Sequence, residues 1–298
     1  MSNIKTAVIP TGGYGTRFLP ASKSIPKEMF PLWNKPIVYH VVEEAVKSGI
    51  ENIVFIVSPM KHSVEDFFSP NQLEEDYLLK KGKIDQVGEL RGIQQLANYS
   101  FVYTKSPYGN GGALLSAKHL IKNEPFVVVW GDEMIISKTK PRIQQCIETY
   151  EKYGKPVISA IEIKDPLRRQ KYGIAELKDI EGDSEVKEIV RIVEKPQPGT
   201  EPSSIATHGT YVLPPEIFEY FDETFIGKDG ELWLTDLINN LNKKTGLLAK
   251  IIPDGIYLDC GNPIDYMLSQ LEFVLESDES KAIINDYLNS KGYKKDIA

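Results

Sequence analysis

The segment VIPTGGYGTRFLPASKSIPKEMFP, residues 8–31, combines residue types that bind phosphate groups. Its glycines can turn backbone amides toward an anion, because glycine adopts positive φ angles without steric cost. These glycines are Gly12, Gly13 and Gly15. Arg17 offers a planar set of donors to phosphate oxygens, Lys27 offers a compact positive charge, and neighbouring prolines stiffen the backbone. The pattern therefore predicts a loop that binds a phosphorylated ligand.

Two known phosphate-binding motifs do not match this loop. A nucleotide-hydrolase P-loop ends in Gly-Lys-Ser/Thr, whereas Thr16 and Arg17 follow Gly15, and the dinucleotide spacing G-x-G-x-x-G is also absent. Taken alone, the glycines could instead form a tight turn after a strand, and the cations could belong to a solvated basic loop. Both alternatives stay open on these residues.

The first half of the chain alternates strand-like and helical segments. Predicted strands are TAVIPT, NIVFIVS, FVYTKS and PFVVVWGDEM, and predicted helices are IVYHVVEEAVKSG, HSVEDFF and GGALLSAKHLI. Helices between strands predict an α/β fold of three layers, with a mostly parallel central sheet and helices on both faces. Ligands of such sheets bind beyond the carboxyl ends of the strands. Asp132, which follows the apolar run FVVVW, is therefore a candidate ligand-binding residue, although a turn or helix cap is the ordinary role of a single aspartate.

The second half is richer in strands. Predicted strands are KPVISAIEI, YGIAELKD, VKEIVRIVEKP and ATHGTYVLP, with a hairpin turn in DIEGDSE and two short strands in AKIIPDGIYLDCGN. A helix is predicted for ELWLTDLINNLNKK, beginning near Asp229 or Gly230 and followed by Gly246. A second helix begins at Pro263, and a charged helix forms the C-terminus. No repeat or break in composition divides the chain, so one mixed domain is expected.

Composition excludes several classes of protein. The chain has 298 residues and a net charge of -7, and it lacks a basic stripe with interleaved aromatics, so we expect no nucleic-acid partner. No apolar run approaches the roughly 20 residues of a membrane helix, and no signal-peptide pattern begins the chain, so a cytoplasmic location is expected. Cys146 and Cys260 are too few for a disulfide framework and are predicted to be reduced core residues.

Beyond these local patterns, the chain resembles the sugar-phosphate nucleotidylyltransferases. The segment GYGTRFLPASKSIPKEMFPLWNKPI is similar to the family signature G-x-G-T-R-x-x-P-x-[ST]-x-x-x-P-K. The resemblance continues in family order through GNGGALLSAK, GDEM, YGIAEL, IVEKP, GTYVLPPEIF, ELWLTDLI and YLDCGNPIDYM. Within the family, PASKSIPKEMFPL is most similar to the bacterial enzymes that use UTP and glucose 1-phosphate. The implied reaction is transfer of a nucleotidyl group to a hexose 1-phosphate, with release of pyrophosphate.

The resemblance implies a role for each matching residue. Arg17 and Lys27 hold the phosphates that leave as pyrophosphate, and Asp132 and Asp259 bind Mg²⁺. The nucleotide-binding positions are Gly12, Gly13, Gly15, Thr104, Gly109 and Gly111. The sugar-phosphate positions are Gly173, Glu194, Lys195 and Glu231, and Lys195 is also expected to act in catalysis. Each has an ordinary alternative role, such as a turn or bulge glycine, a helix cap or a surface ion pair.

The same resemblance suggests an organisation of the single domain. Residues 1–135 are expected to bind mainly the nucleotide, and residues 136–262 form a smaller β-rich part that binds mainly the sugar phosphate. Residues 263–298 are expected to form a C-terminal helical segment. A homo-oligomer is implied by analogy with relatives.

Several positions depart from the family pattern and leave substrate choice open. Thr104 lies near the position at which relatives have a glutamine that reads the pyrimidine. A threonine cannot offer the paired donor and acceptor of an amide. His208 in THGTY and the sequence VWGDE before Asp132 are also unusual, and they could alter the choice of sugar without changing the chemistry. The remaining alternatives are dTTP or another nucleotide, another hexose 1-phosphate, and a regulator that binds nucleotide sugars without turnover.

Overall fold

A computed structural model describes residues 3–104, 109–221 and 231–293 of the chain. The strands are β1 (Thr6–Pro10), β2 (Pro31–Leu32), β3 (Lys35–Pro36), β4 (Asn52–Val57), β5 (Asn98–Tyr103), β6 (Phe126–Val128), β7 (Glu133–Ile136), β8 (Val157–Glu162), β9 (Gly173–Ile180), β10 (Asp183–Glu194), β11 (Ile205–Leu213), β12 (Leu248–Ile251) and β13 (Ile256–Asp259). The helices are α1 (Ile37–Lys47), α2 (Ser63–Phe68), α3 (Gln72–Lys80), α4 (Ile84–Gln94), α5 (Gly109–Leu115), α6 (Arg142–Tyr153), α7 (Pro166–Arg169), α8 (Leu234–Thr245), α9 (Pro263–Leu275) and α10 (Asp278–Ser290).

The described strands form one nine-stranded sheet in the order β5-β4-β1-β6-β11-β8-β12-β10-β9 and two small two-stranded sheets, β2-β3 and β7-β13. Parallel pairing joins β5, β4, β1 and β6, and also joins β8 to β12. Strands β11 and β10 are antiparallel to all of their neighbours, so they alone run against the other seven. The sheet is therefore mixed but mostly parallel, and the predicted α/β class is confirmed.

Apolar side chains pack on both faces of this sheet. Along β1, Ala7 and Ile9 face one core and Val8 faces the other, as expected for a strand whose side chains alternate between faces. The first core includes buried residues of α1 and α6, and the second includes buried residues of α5 and α8. Helices thus cover both faces, which confirms the three-layer prediction. A strand buried on both faces reads as a continuous apolar run, which is why AVI was recognised in the sequence.

One predicted strand is divided in the structure. PFVVVWGDEM forms β6 in the main sheet and then β7, which pairs instead with β13. The turn between these strands contains Trp130, Gly131 and Asp132. The prediction of a single strand was wrong because apolar periodicity does not show that the partner strand changes. The consequence is functional, since Asp132 lies at the point where the chain leaves the main sheet.

Other element boundaries also differ from the sequence predictions. Helices α3, α4, α6 and α7 were missed; α3 and α4 bury few side chains and therefore carry a weak apolar pattern. The helix predicted over residues 111–121 is α5 followed by a short 3₁₀ turn. Helix α8 ends before Gly246 as predicted, whereas the start predicted near Asp229 or Gly230 lies outside the described residues. Cys146 and Cys260 are buried and free, as expected.

Candidate active site

The glycine-rich loop leaves the carboxyl end of β1 and is fixed at both ends. Thr11 donates from its backbone amide and its hydroxyl to the Ile56 carbonyl, at 2.8 and 3.1 Å. Gly15 has a φ of 64°, and a Cβ at this position would lie 3.1 Å from the Ser22 Cβ. The Ser22 hydroxyl in turn donates to the Gly15 carbonyl at 2.6 Å. Position 15 therefore requires glycine for both its backbone angle and its packing.

A cavity of about 470 Å³ opens over the carboxyl ends of β1, β4 and β6. Its lining contains seven of the residues predicted from the sequence, namely Gly12, Gly13, Lys27, Thr104, Gly109, Asp132 and Glu231. This edge of an α/β sheet is where the topology leads us to expect a ligand. The volume lies in the range of small-molecule sites.

Lys27 forms an ion pair with Asp132 inside this cavity, and its Nζ lies 3.9 Å from Glu28 Oε1. Burial lowers the pKa of Lys27, but the carboxylates of Asp132 and Glu28 outweigh burial and raise it above its ordinary value. Lys27 is therefore a permanent cation held at the cavity wall. A cation in this position can neutralise a bound phosphate.

Glu28 is a functional candidate that the sequence reasoning did not single out. Its side chain is buried and lines the cavity, and Oε2 has no hydrogen-bond partner among the described residues. Burial raises the pKa of Glu28 to about 8, although Lys27 opposes the shift. The residue was visible in the motif PKEM, but nothing in the sequence indicates that its carboxyl group is buried.

The two-stranded β7–β13 sheet brings the two predicted metal-binding aspartates together. Asp259 pairs with Glu133 across this sheet, and the Cys260 amide donates to the Asp132 carbonyl at 3.0 Å. A Cβ at Gly261 would lie 3.0 Å from Asp259 Oδ1, 3.2 Å from Asp132 Oδ2 and 3.9 Å from Arg17 Nη1. Burial raises the pKa of Asp259, and the neighbouring carboxylates add to this shift. Two carboxylates and a guanidinium therefore surround one glycine, which the sequence reasoning missed.

Gly109 and Gly111 pack against the segment that precedes α8. Gly109 has a φ of 78°, and a Cβ on either glycine would lie within 2.9 Å of the Leu232 carbonyl oxygen. The Gly111 amide donates to that oxygen at 2.9 Å. This contact carries Glu231 to the wall of the cavity shared with Gly12. Glu231, expected near the sugar phosphate, thus lies beside the residues expected to bind the nucleotide.

Gly173, Glu194 and Lys195 meet at one end of the β9–β10 hairpin. Gly173 pairs with Glu194, and a Cβ on Gly173 would lie 3.1 Å from Glu194 Oε2. Burial raises the pKa of Glu194, and Lys195 partly offsets the shift. Lys195 has a φ of 45°, its amide donates to the Tyr172 carbonyl at 3.1 Å, and its Nζ lies 4.9 Å above the Trp233 ring. An unusual backbone angle in a lysine at a strand end is typical of a functional site.

Tyr172 links this hairpin to the aspartates. Its hydroxyl donates to Asp259 Oδ2 at 3.4 Å, while its carbonyl accepts from Lys195. His208 is buried between the rings of Tyr172 and Tyr257, with centroid separations of 4.9 and 3.9 Å. Packing of this kind suits a structural neighbour of the site.

The chain matches the family model described as "Nucleotidyl transferase" over residues 6–274. It is 38% identical over 287 residues to UTP–glucose-1-phosphate uridylyltransferase 1 of Staphylococcus saprophyticus, covering 96% of this chain and 98% of the relative. It is 36% identical to the enzyme of Staphylococcus haemolyticus, covering 98% and 100%.

Solved structures with the same fold are similar over nearly their whole length. A UDP-glucose pyrophosphorylase complexed with UDP-glucose has a TM-score of 0.80 and 33% identity, covering 92% of this chain and 100% of that chain. A UTP-bound UDP-glucose pyrophosphorylase from Acinetobacter baumannii has a TM-score of 0.86 and 32% identity, covering 96% and 98%. The protein therefore belongs to the nucleotidyl transferase family.

Proposed function

We propose that the protein transfers a uridylyl group from UTP to glucose 1-phosphate and releases pyrophosphate. One observation carries the proposal: Asp132, Asp259 and Arg17 converge on Gly261, with Lys27 paired to Asp132. Relatives named for this reaction match along almost the entire chain. The structural neighbours bound to UTP and to UDP-glucose support the same pair of substrates.

The reaction needs little acid or base catalysis, because the nucleophile is already an anionic phosphate oxygen. That oxygen attacks the α-phosphorus of UTP, the bond from this phosphorus to the bridging oxygen breaks, and pyrophosphate leaves with the bond electrons. The main barrier is repulsion between a phosphate monoester of charge about -1.5 to -2 and a more negative triphosphate. Positioning and charge neutralisation are therefore the protein's contribution.

Individual residues have distinct tasks in this scheme. Arg17 and Lys27 neutralise the phosphates that leave as pyrophosphate. Glu194 accepts hydrogen bonds from sugar hydroxyls, and Lys195 binds the phosphate of the sugar. The glycines of the first loop, together with Gly109 and Gly111, allow close approach of the nucleotide.

A divalent metal ion fits the donors of this site. Asp132 and Asp259 each present a carboxylate oxygen within 3.2 Å of the Cβ position at Gly261, and no described group of three or more histidine, cysteine, aspartate or glutamate side chains forms a fuller cage. Mg²⁺ suits such a site because it binds hard oxygen ligands, keeps several waters and is shared with substrate phosphates. When bound, it would neutralise negative charge on the phosphates.

A pyrophosphate-release screen tests the proposal. UTP, dTTP, CTP, ATP and GTP are each combined with glucose 1-phosphate, galactose 1-phosphate and mannose 1-phosphate in the presence of Mg²⁺. We expect the highest kcat/KM for UTP with glucose 1-phosphate. Higher activity with dTTP would identify Thr104 as compatible with another pyrimidine, and nucleotide binding without turnover would favour a regulator.

Asp132→Asn is expected to abolish nearly all turnover in this screen while retaining the fold. Asp179→Asn is the matched control, because the Asp179 side chain is 89% exposed and pairs only with Lys187 in the described structure. Wild-type rates in Asp132→Asn would contradict the proposed mechanism.

The division of the chain into substrate-binding parts, its cellular location and its oligomeric state are also proposals. Residues 1–135 would serve mainly the nucleotide, residues 136–262 mainly the sugar phosphate, and residues 263–298 would form the C-terminal helical segment. In the described ranges, no helix is both long and apolar enough to cross a membrane. The cytoplasmic location and the homo-oligomeric state stay predictions.

A further inference from the structure

Trp130 presents an aromatic surface to the cavity. It follows β6, precedes Asp132 by two residues, and lines the cavity together with Gly12 and Glu231. The indole is only partly buried, so a ligand can reach it. An aromatic ring favours contact with the C–H groups on the apolar face of a sugar, while its bulk limits what else fits beside it.

The indole is held from behind by β11. A Cβ at Gly209 would lie 2.7 Å from Trp130 Cδ1 and 2.8 Å from Nε1, so only glycine leaves room for this ring. Tyr211 meets the indole edge-to-face, with ring centroids 5.9 Å apart. Buried Arg142 donates to the Gly209 carbonyl, which fixes the backbone behind the ring. Trp130 is therefore a pre-positioned wall.

Strand β11 also connects this wall to the residues proposed to bind the sugar. Thr207 pairs with Gly173, and the Thr207 hydroxyl donates to the Gly173 carbonyl at 3.1 Å. Thr207 and Gly209 are two residues apart on the strand, a distance of about 7 Å. A Cβ at Gly173 would lie 3.1 Å from both Glu194 Oε2 and Thr207 Oγ1, so Glu194 lies at the Thr207 end of this strand segment. The separation between Thr207, beside Gly173, and Gly209, behind the indole, is on the scale of one monosaccharide ring.

We propose that Trp130 forms one wall of the hexose subsite and determines which hexose 1-phosphate is accepted. This inference rests on the proposed function and deepens it. The indole packs on the apolar face of glucose, and its bulk disfavours a hexose that carries a large acylamino substituent. Gly209 is the positioning residue, because its missing side chain lets the ring occupy this place.

Kinetics with glucose 1-phosphate and N-acetylglucosamine 1-phosphate test the proposal. Trp130→Leu is expected to raise the KM for glucose 1-phosphate about tenfold, to leave the KM for UTP within about twofold, and to raise the relative use of the acylated sugar, as expected when a pocket wall is trimmed. Trp130→Phe should retain part of the discrimination. Gly209→Ala should also raise the KM for glucose 1-phosphate and the relative use of the acylated sugar, because it displaces the ring without removing it. Trp33→Leu is the control, because Trp33 is 64% exposed and does not line the cavity.

Calorimetry supplies a readout that needs no turnover and shows whether a variant still folds and binds nucleotide. In Trp130→Leu, we expect about tenfold weaker binding of UDP-glucose and unchanged binding of UDP. Equal weakening of both ligands, or unchanged sugar discrimination in both Trp130→Leu and Gly209→Ala, would overturn the proposal. A wild-type protein that binds UDP-glucose but does not turn over would refute the proposed reaction alone. A wild-type protein that binds UDP-glucose no tighter than UDP would refute the hexose subsite.

Discussion

Gly261→Ala perturbs the space between the two aspartates by a single methyl group. The new Cβ would lie 3.0 Å from Asp259 Oδ1 and 3.2 Å from Asp132 Oδ2, where ordinary contacts begin at 3.4 Å. The carboxylates must therefore move by about 0.4 and 0.2 Å, respectively. The Gly261 amide, which donates to Asp259 Oδ1 at 2.8 Å, opposes that movement.

The expected loss of activity follows from these distances. Misplacement of reacting groups by 1 Å can cost about 10²-fold, so a shift of a few tenths of an ångström in both carboxylates predicts a loss on the order of tenfold in kcat/KM. The fold should tolerate the change, because Gly261 does not require a positive φ. The cost of local overpacking, about 1 kcal/mol, is largely offset by the reduced entropy of the unfolded chain.

Three measurements test this prediction: initial rates of pyrophosphate release, the Mg²⁺ concentration that gives half-maximal rate, and the melting temperature. We expect slower release, a higher Mg²⁺ requirement and a melting temperature within about 4 °C of wild type. Gly92→Ala is the matched control, since a Cβ there meets no atom within 4 Å. Wild-type rates and an unchanged Mg²⁺ requirement in Gly261→Ala would refute a metal site shared by Asp132 and Asp259.

Three further changes have distinct expected outcomes. Because burial raises the pKa of Glu28 from 4.5 to about 8, the folded state keeps a proton that the unfolded chain releases, so stability falls as pH rises through this window. Glu28→Gln should reduce that fall in thermal melts between pH 5 and 8. An unchanged dependence of the melting temperature on pH would contradict the raised pKa of Glu28. Arg142→Ala should lower the free energy of unfolding, measured in urea, by about 3–5 kcal/mol, because it removes a fully buried guanidinium from the mostly buried Glu44 carboxylate and from the Gly209 carbonyl. Arg191→Ala, at the exposed Arg191–Glu176 pair, should cost less than about 1 kcal/mol, and similar losses in the two variants would contradict this reasoning. Lys195→Met should raise the KM for glucose 1-phosphate more than the KM for UTP, and equal effects on both would exclude its assigned role.

Much of the fold was predictable because its strands are buried and short-range patterns report burial. The run AVI in β1 and the amphipathic α1 followed directly from apolar spacing. Helices α3 and α4 were missed for the converse reason, since helices that bury few side chains leave a weak pattern. The switch of partner between β6 and β7 depends on β13, which lies more than 100 residues away in the chain.

The sequence by itself determined the residue types of the site and their order along the chain. It indicated a phosphate-binding loop from glycines, Arg17 and Lys27, and it marked Asp132 by its place after an apolar run. Only the tertiary structure decided how these groups combine. The pairing of β7 with β13 brings Asp259 to Asp132 beside Gly261, and burial raises the pKa of Glu28. Contacts and desolvation of this kind arise between distant segments, and no local pattern of residues encodes them.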